Sequence, residues 1–431
     1  MLVGGNRGLM LFRRPRRLNA AVSVIVISSL TSVVATCGIM GGGDGSRPAT
    51  EGCATPGVTS TQVTLGTAFD DTGIGAGTFA AFRAGIDARL GVANDNGGVN
   101  GRKVVYDWED TRSDPSSTQD AVRELVETKG VFGIIQGSQR SLTAVGSADY
   151  AEEHGIPVVG PSMDESWPDH PNMISWFYAQ SARSSVSTWG AFALSQGATR
   201  AAILGLALNP GAATYQAQLQ ASMDSAGIPV VLNPDVTVGA TSFNRLAQEL
   251  KAANVDTITG AVSPEVLAQV MPAVRAAGLQ LKLVLTPTGY DPALLQQLGP
   301  QLAGTTIYID FAPFELNLPA HQRFISALAR YTPETSPPQQ QSAVWGWISA
   351  DLYLRGLRDS GECPTRKGFV NALRAVHDYD AGGLLSSKVD FATNVGQLST
   401  CYQFVQISQD GREFIPLNPS RRCGTVVSRS R

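Results

Sequence analysis

The segment Gly137-Ser138-Gln139-Arg140-Ser141 sets two hydroxyls and a guanidinium between an apolar run ending at Gln136 and a stretch with helical spacing. Hydroxyls beside the free N–H groups of a helix start can hold an anionic or polar group of a small molecule. The planar donor fork of Arg140 suits a carboxylate. Plainer roles fit the same residues: Ser141 as a helix cap and Arg140 as a solvated surface charge. Asp70, Asp71 and Thr72 close an earlier apolar run and bring acidic character to a second loop, or cap a helix there. This is the chemistry of binding. Motifs for turnover are absent: there is no Gly-x-Ser-x-Gly elbow, no Gly-Lys-Ser/Thr phosphate loop and no His-Glu-x-x-His pair. Glu109 and Asp110 are consecutive at a strand end, where successive side chains point to opposite faces, so they are poorly placed to share one acid/base task. The four histidines (His154, His170, His321, His377) are scattered and no Cys-x-x-Cys occurs, so neither a metal nor a cofactor is expected.

The elements that must position these loops follow from hydrophobic spacing. Strand-like runs at 63–69, 103–108, 131–136 and 157–160 alternate with helical stretches. The first helix places Phe79, Phe82, Ile86 and Leu90 on one stripe; others follow at 116–128 and 142–154. After Ser181 the rhythm restarts, with strands at 201–206, 230–232, 257–261 and 281–286 and helices at 213–226, 243–253 and 265–277. Alternation of this kind predicts an α/β protein of two doubly wound parallel-sheet lobes. A length of 431 residues fits two cores. An apolar helix at 343–357 and a strand at 402–407 complete the pattern.

Residues 1–36 carry Arg7, Arg13, Arg14, Arg16 and Arg17, no acid, and then the apolar run 20–34. That order is the signature of a secretory signal peptide. With those five arginines removed, 28 basic residues face 36 acidic ones, a net charge of −8. Nucleic acid is therefore a poor partner for the folded body. Val34-Ala35-Thr36-Cys37 resembles a bacterial lipobox, which implies acylation of Cys37 and a lipid anchor, with Thr36 departing from the usual small residue. Residues 37–57, rich in glycine from Gly38 to Gly45, make a flexible tether. Four cysteines remain in an exported chain, which reads as two disulfides with three possible pairings. The preferred one joins Cys363 to Cys401 and Cys53 to Cys423.

Residues 89–136 include Asn94-Asp95-Asn96-Gly97-Gly98-Val99-Asn100-Gly101, a helix stop and reversal into the strand from Lys103. This stretch resembles the first lobe of the branched-chain amino-acid binding proteins, the type I periplasmic solute receptors of ABC importers. The resemblance implies lobe 1 from 58–180 plus 313–380, lobe 2 from 181–312 plus 381–423, a tail at 424–431, a multi-crossover hinge, and a ligand between the lobes. It assigns Ser138 and Ser141, with Gln139 and Arg140 beside them, to a ligand carboxylate. It places Ser162 and Asp164 at the next loop, where Asp164 replaces a hydroxyl and either accepts from the ligand or caps a turn. Trp167, Trp176, Phe177 and Tyr178 cluster nearby, as cleft lining or as core. In lobe 2 it points to Tyr215, Ser263, Thr288 and Tyr290, with Val262 or Ser263 standing where relatives offer an aromatic and Thr288 where they offer an acid. Asp71, with Asp70 and Thr72, can restore acidic character from the opposite side.

Taken together, the expectation is a monomeric lipoprotein on the outer face of the cell membrane. It captures a small polar or amphipathic solute, an amino acid or related carboxylate or amide, and delivers it to ABC permease subunits. Two other readings are a ligand-sensing receptor module of the same fold and a cleft hydrolase.

Overall fold

Strand β1 (Gln62–Phe69) is buried almost continuously from Val63 onward, the pattern of a parallel strand covered on both faces. The computed structural model describes residues 53–73, 75–138, 146–206, 210–237, 239 and 241–429. The expected signal peptide, Cys37 and most of the tether lie outside these residues.

The first pass continues through α1 (Ala76–Phe79), α2 (Phe82–Asp95), β2 (Lys103–Asp110), α3 (Pro115–Arg123), β3 (Ile134–Gly137), α4 (Ser147–Glu153), β4 (Val158–Val159) and β5 (Met173–Ile174). These strands form an all-parallel sheet in the order β2-β1-β3-β4-β5. The expected stripe is real: Phe79, Phe82, Ile86 and Leu90 are all buried. α2 stops where Gly97 and Gly98 take positive φ, and Asn94 then bonds both backbone groups of Val104, tying the helix end to β2. Asp114 caps α3 by accepting from the Ser117 N–H, with Pro115 at the first helical position.

The second pass runs through β6 (Ser184–Val186), α5 (Thr188–Ser195), β7 (Ala201–Leu206), α6 (Pro210–Ser225), β8 (Val230–Leu232), β9 (Asp235–Val236), α7 (Phe243–Ala252), β10 (Thr257–Gly260), α8 (Pro264–Ala276), β11 (Leu283–Thr286), α9 (Pro292–Leu302) and β12 (Thr306–Ile309). The chain then returns to lobe 1 as α10 (Pro319–Tyr331), α11 (Gln341–Asp359) and α12 (Arg366–Arg374). It ends in lobe 2 with β13 (Cys401–Ile407), β14 (Phe414–Cys423) and β15 (Val426–Ser428). The second sheet has the order β14-β13-β12-β11-β10-β7-β8, parallel except at β13 and β14. Within 424–431, expected as a tail, residues 426–428 form β15, which pairs antiparallel with β6. Beyond the expected boundary at 380 the chain keeps contacts with lobe 1: the Phe391 N–H donates to the Val376 carbonyl and the Asn394 side chain to the Ser175 carbonyl.

Three segments cross between the lobes, at 175–183, 310–318 and 384–400. They run side by side, with Tyr178 bridged to Leu398 and Phe311 to Leu385. His321 pins the second crossing: the Leu318 N–H donates to its Nδ1, and its Nε2 bonds the Ala312 carbonyl at 3.0 Å. Burial pushes its pKa down, so this histidine is a structural part.

The disulfides correct the preferred pairing. They join Cys53 to Cys363 and Cys401 to Cys423. Cys401 and Cys423 lie directly opposite in the β13–β14 register, where a bridge needs no backbone movement. Cys53 is held beside Cys363 by Arg102, which donates to the carbonyls of Thr59 and Glu362. Peptide mapping of unreduced protein is expected to return these two cross-linked pairs; a peptide joining Cys363 to Cys401 would contradict the register.

Candidate functional site

Ligands in open α/β sheets bind outside the strand C-termini, where helix N-termini and unpaired N–H groups converge. In lobe 1 the described part of this rim consists of the loops after β1 and β4 with Ser138 just past β3, and in lobe 2 of the loops after β10, β11 and β12. Contacts between the lobes join the two rims. Gln341, at the start of α11, donates from Nε2 to the Pro287 carbonyl at 3.1 Å and from its backbone to Tyr290. Glu165, past β4, accepts from Thr214 of α6 at 3.4 Å. The rims therefore face each other across the hinge.

On the lobe 1 side, Ser138 is buried and donates its hydroxyl to Asp70 Oδ1 at 2.6 Å, where the Thr111 hydroxyl also arrives. The proton that the resemblance assigns to a ligand carboxylate goes to Asp70 instead. Gln139, Arg140 and Ser141 lie outside the described residues. Asp71 is exposed at the rim, and the loop that carries it is held by Asp110, which accepts from the N–H groups of Asp71, Thr72 and Arg112 and from the Thr72 hydroxyl. Although partial burial opposes it, those bonds set the Asp110 pKa below the usual carboxylate range. Ser162 is buried, with its hydroxyl on the Asp164 carbonyl. Asp164 accepts from the N–H and hydroxyl of Ser166, the turn-capping alternative.

On the lobe 2 side two of the expected residues are buried. Tyr215 is in the core, packed on Trp189, and its hydroxyl bonds that of Tyr308. The face of α6 that carries it turns toward α5 and the sheet, not toward the rim. Tyr290 is also buried; its hydroxyl donates to Glu315 at 2.7 Å and accepts from the Phe314 N–H at 2.7 Å, which locks the second crossing. Ser263 caps α8 by accepting from the Val266 N–H. Thr288 keeps partial exposure, with its hydroxyl on the Val262 carbonyl at 3.4 Å. The structure thus gathers Ser263 and Thr288 on one rim and Ser138, Ser162, Asp164 and Asp71 on the other.

Of the aromatic cluster, Trp167 and Tyr178 are core residues, and Phe177 packs on Tyr402. Trp176 reaches the hinge, where it meets a residue that sequence reasoning missed. Asp310, directly after β12, accepts from Trp176 Nε1 at 3.3 Å and from Trp345 Nε1 at 3.0 Å. Burial raises its pKa against the effect of the Trp345 bond. The apolar run before it carried no marker for this role, because its partners come from two distant segments. Among the described residues, no group of His, Cys, Asp and Glu is arranged to hold a metal, and no helix is long and apolar enough to cross a membrane.

Residues 62–412 match the family model described as periplasmic binding protein. A search of curated proteins finds no match. Among solved structures, a substrate-binding periplasmic protein from Ralstonia solanacearum superposes with a TM-score of 0.70 at 20% identity, covering 82% of this chain and 99% of its own. A fatty acid ABC transporter substrate-binding protein from Thermomonospora curvata gives 0.68 at 18%, covering 84% and 93%. A branched-chain amino acid transporter substrate-binding protein from Streptococcus pneumoniae, in complex with isoleucine, gives 0.67 at 13%, covering 83% and 99%.

Proposed function

The chain belongs to the periplasmic binding protein family, and from that premise we propose that it is the extracytoplasmic, lipid-anchored receptor of an ABC importer. It captures a small polar or amphipathic solute between its lobes and delivers it to permease subunits. The observation that carries this reading is the meeting of the two rims across three crossings that run side by side. A ligand that touches both rims gains contacts only when the lobes close, and that difference in contact energy selects the closed form. The solved relatives carry names with different solutes, fatty acid in one and isoleucine in another. The ligand must therefore be read from this chain's own cleft.

Binding is preferred to turnover because the described rim residues are engaged in holding loops, with the hydroxyls of Ser138, Thr72 and Ser166 given to Asp70, Asp110 and Asp164. Native mass spectrometry of protein purified from its host is expected to show one small solute bound per chain. Calorimetric titration of that compound into stripped protein should give saturable binding, and X-ray scattering should show a smaller radius of gyration on closure. Ser141→Ala is expected to weaken that titration about tenfold, the order of one lost hydrogen bond to a buried polar group. A solute that binds without change in radius, or contacts one lobe only, would overturn the clamp; product formation on prolonged incubation would favour a hydrolase.

A further inference from the structure

A groove of about 1050 Å³ lies between α2, α10 and α11 of lobe 1, and none of the cleft-rim residues lines it. Its charged residues are four arginines (Arg89, Arg323, Arg330, Arg358) and two aspartates (Asp95, Asp351), a surplus of two positive charges on a mature chain of net charge −8. Both aspartates are already engaged. Asp351 accepts from Arg89 at 2.8 Å and from the Tyr379 hydroxyl, and Asp95 from Arg330 and the Tyr331 hydroxyl. Arg323 donates to the Gly382 carbonyl, while Arg358 has beside it Asp359, at 3.6 Å and shared with Arg355. Arg323 and Arg358 are exposed, so both keep donors for an incoming anion. Beneath them the buried Trp347 forms an apolar floor, with the Arg89 guanidinium 5.7 Å from its ring centroid. One end of the groove lies where the chain enters the fold: Asn100, on its edge, donates to the Gly361 carbonyl at 2.8 Å, and two residues further on Cys363 is bridged to Cys53. The residues before Cys53 are the expected tether. Asn100 also belongs to the turn from α2 into β2, which puts this end at the strand N-termini, opposite the cleft rim.

We propose that this groove docks the phosphate groups of anionic phospholipids at the bilayer surface to which the tether leads. The inference rests on the lipid-anchored reading above and adds a second site to it. A guanidinium meets a phosphate through parallel hydrogen bonds, which makes Arg323 and Arg358 the contacts. Arg89, neutralised by Asp351 and fixed over Trp347, shapes the wall instead. Basic side chains near an anionic leaflet are attracted additively and lose that attraction as salt rises. The anchor makes the encounter intramolecular, so a weak site suffices. Headgroups held at this end of lobe 1 leave the cleft turned away from the bilayer, open to solute.

The test is vesicle sedimentation of the mature chain carrying Cys37→Ser, which has no acyl chain to insert. This protein is expected to sediment with vesicles containing phosphatidylglycerol, to stay in solution with phosphatidylcholine alone, and to be released by salt. Arg323→Gln combined with Arg358→Gln should weaken sedimentation about tenfold, with the thermal midpoint and the titration of the cleft solute unchanged. Ser326→Glu, at an exposed position in the groove, should weaken it as well without removing either arginine. Inorganic phosphate and glycerol phosphate, titrated calorimetrically, separate a soluble anion from a lipid one. Tight binding of either, with release of the protein from vesicles, would assign the groove to a soluble phosphate and overturn the lipid assignment. No sedimentation, equal sedimentation with both vesicle types, or sedimentation unchanged in folded variants would overturn the groove as a site. The two readings fail separately: a solute in the cleft without vesicle binding ends this proposal alone, and vesicle binding with no solute ever bound ends the receptor reading alone.

Discussion

Replacing Gly346 by valine is expected to destabilise lobe 1 by about 4 kcal/mol, above the usual cost of overpacking a core. α2 and α11 cross in backbone contact, and a glycine on each helix makes room for the other. A Cβ at Gly346 would collide with the Phe82 carbonyl oxygen and stand 2.9 Å from its carbon; one at Gly85 would collide with the Ala343 carbonyl and lie 2.7 Å from the Trp347 nitrogen. These neighbours are backbone atoms, which no rotamer change can move. The helices must separate, and with them the contact of Phe79 on Trp345 of α11 loosens. Chemical denaturation read by circular dichroism checks the loss. Gly77→Ala, in α1 with open space around the new methyl, should change stability by less than about 1 kcal/mol. Equal stability for the Gly346 variant would mean the helices do not touch in solution.

How much of this was visible beforehand depends on the range of the interactions involved. The junction from Asn94 to Gly101 was legible because its causes are local: glycines at positive φ end the helix, and Asn94 reaches only ten residues onward to Val104. The same holds for the alternation of strands and helices, whereas Ser263, assigned to a ligand on resemblance, and Asp114 cap helices that open on proline. The cysteine pairing was not legible, since it depends on which residues of β13 and β14 stand opposite each other.

Side-chain roles were harder still. Tyr215 and Tyr290 occupy loops and helix starts where a resemblance supplies ligand contacts, yet both hydroxyls found partners inside the protein. A helix start shows where a residue lies along the chain, but the face it presents is fixed by packing against α5 and the sheet. Asp310 presents the opposite case. It follows a plain apolar strand, and its environment is made by Trp176 and Trp345, separated from it by 134 and 35 residues. Among the described residues of the rim, Asp110 and Asp164 hold loops, which is how a cleft can keep its shape before anything enters it.

At the opposite end of the lobe 2 sheet, Asp256→Asn is expected to cost about 3 kcal/mol at neutral pH, the range of charge-assisted hydrogen bonds lost from a partly buried acceptor. The carboxylate gathers the N–H groups of Thr199 and Arg200 at 3.0 Å, the hydroxyls of Thr199 and Thr257 at 2.6 and 3.0 Å, and Lys282 at 2.9 Å. It thereby fastens the entries to β7, β10 and β11. Burial acts to raise its pKa, but the Thr199 bonds, with those of Arg200 and Lys282, prevail and hold it well below the usual carboxylate range. A depressed folded-state value contributes stability above the unfolded pKa of about 3.9, and that contribution is lost as pH falls through the folded value. The variant has no proton to bind there. The stability gap between wild type and Asp256→Asn, measured by urea titration, should therefore be widest from pH 5 to 8 and narrow steadily below about pH 4. All other titrating groups are shared by the two proteins, so the difference isolates this one. A gap that stays constant down to pH 3 would show that the fastening is a matter of shape and not of charge.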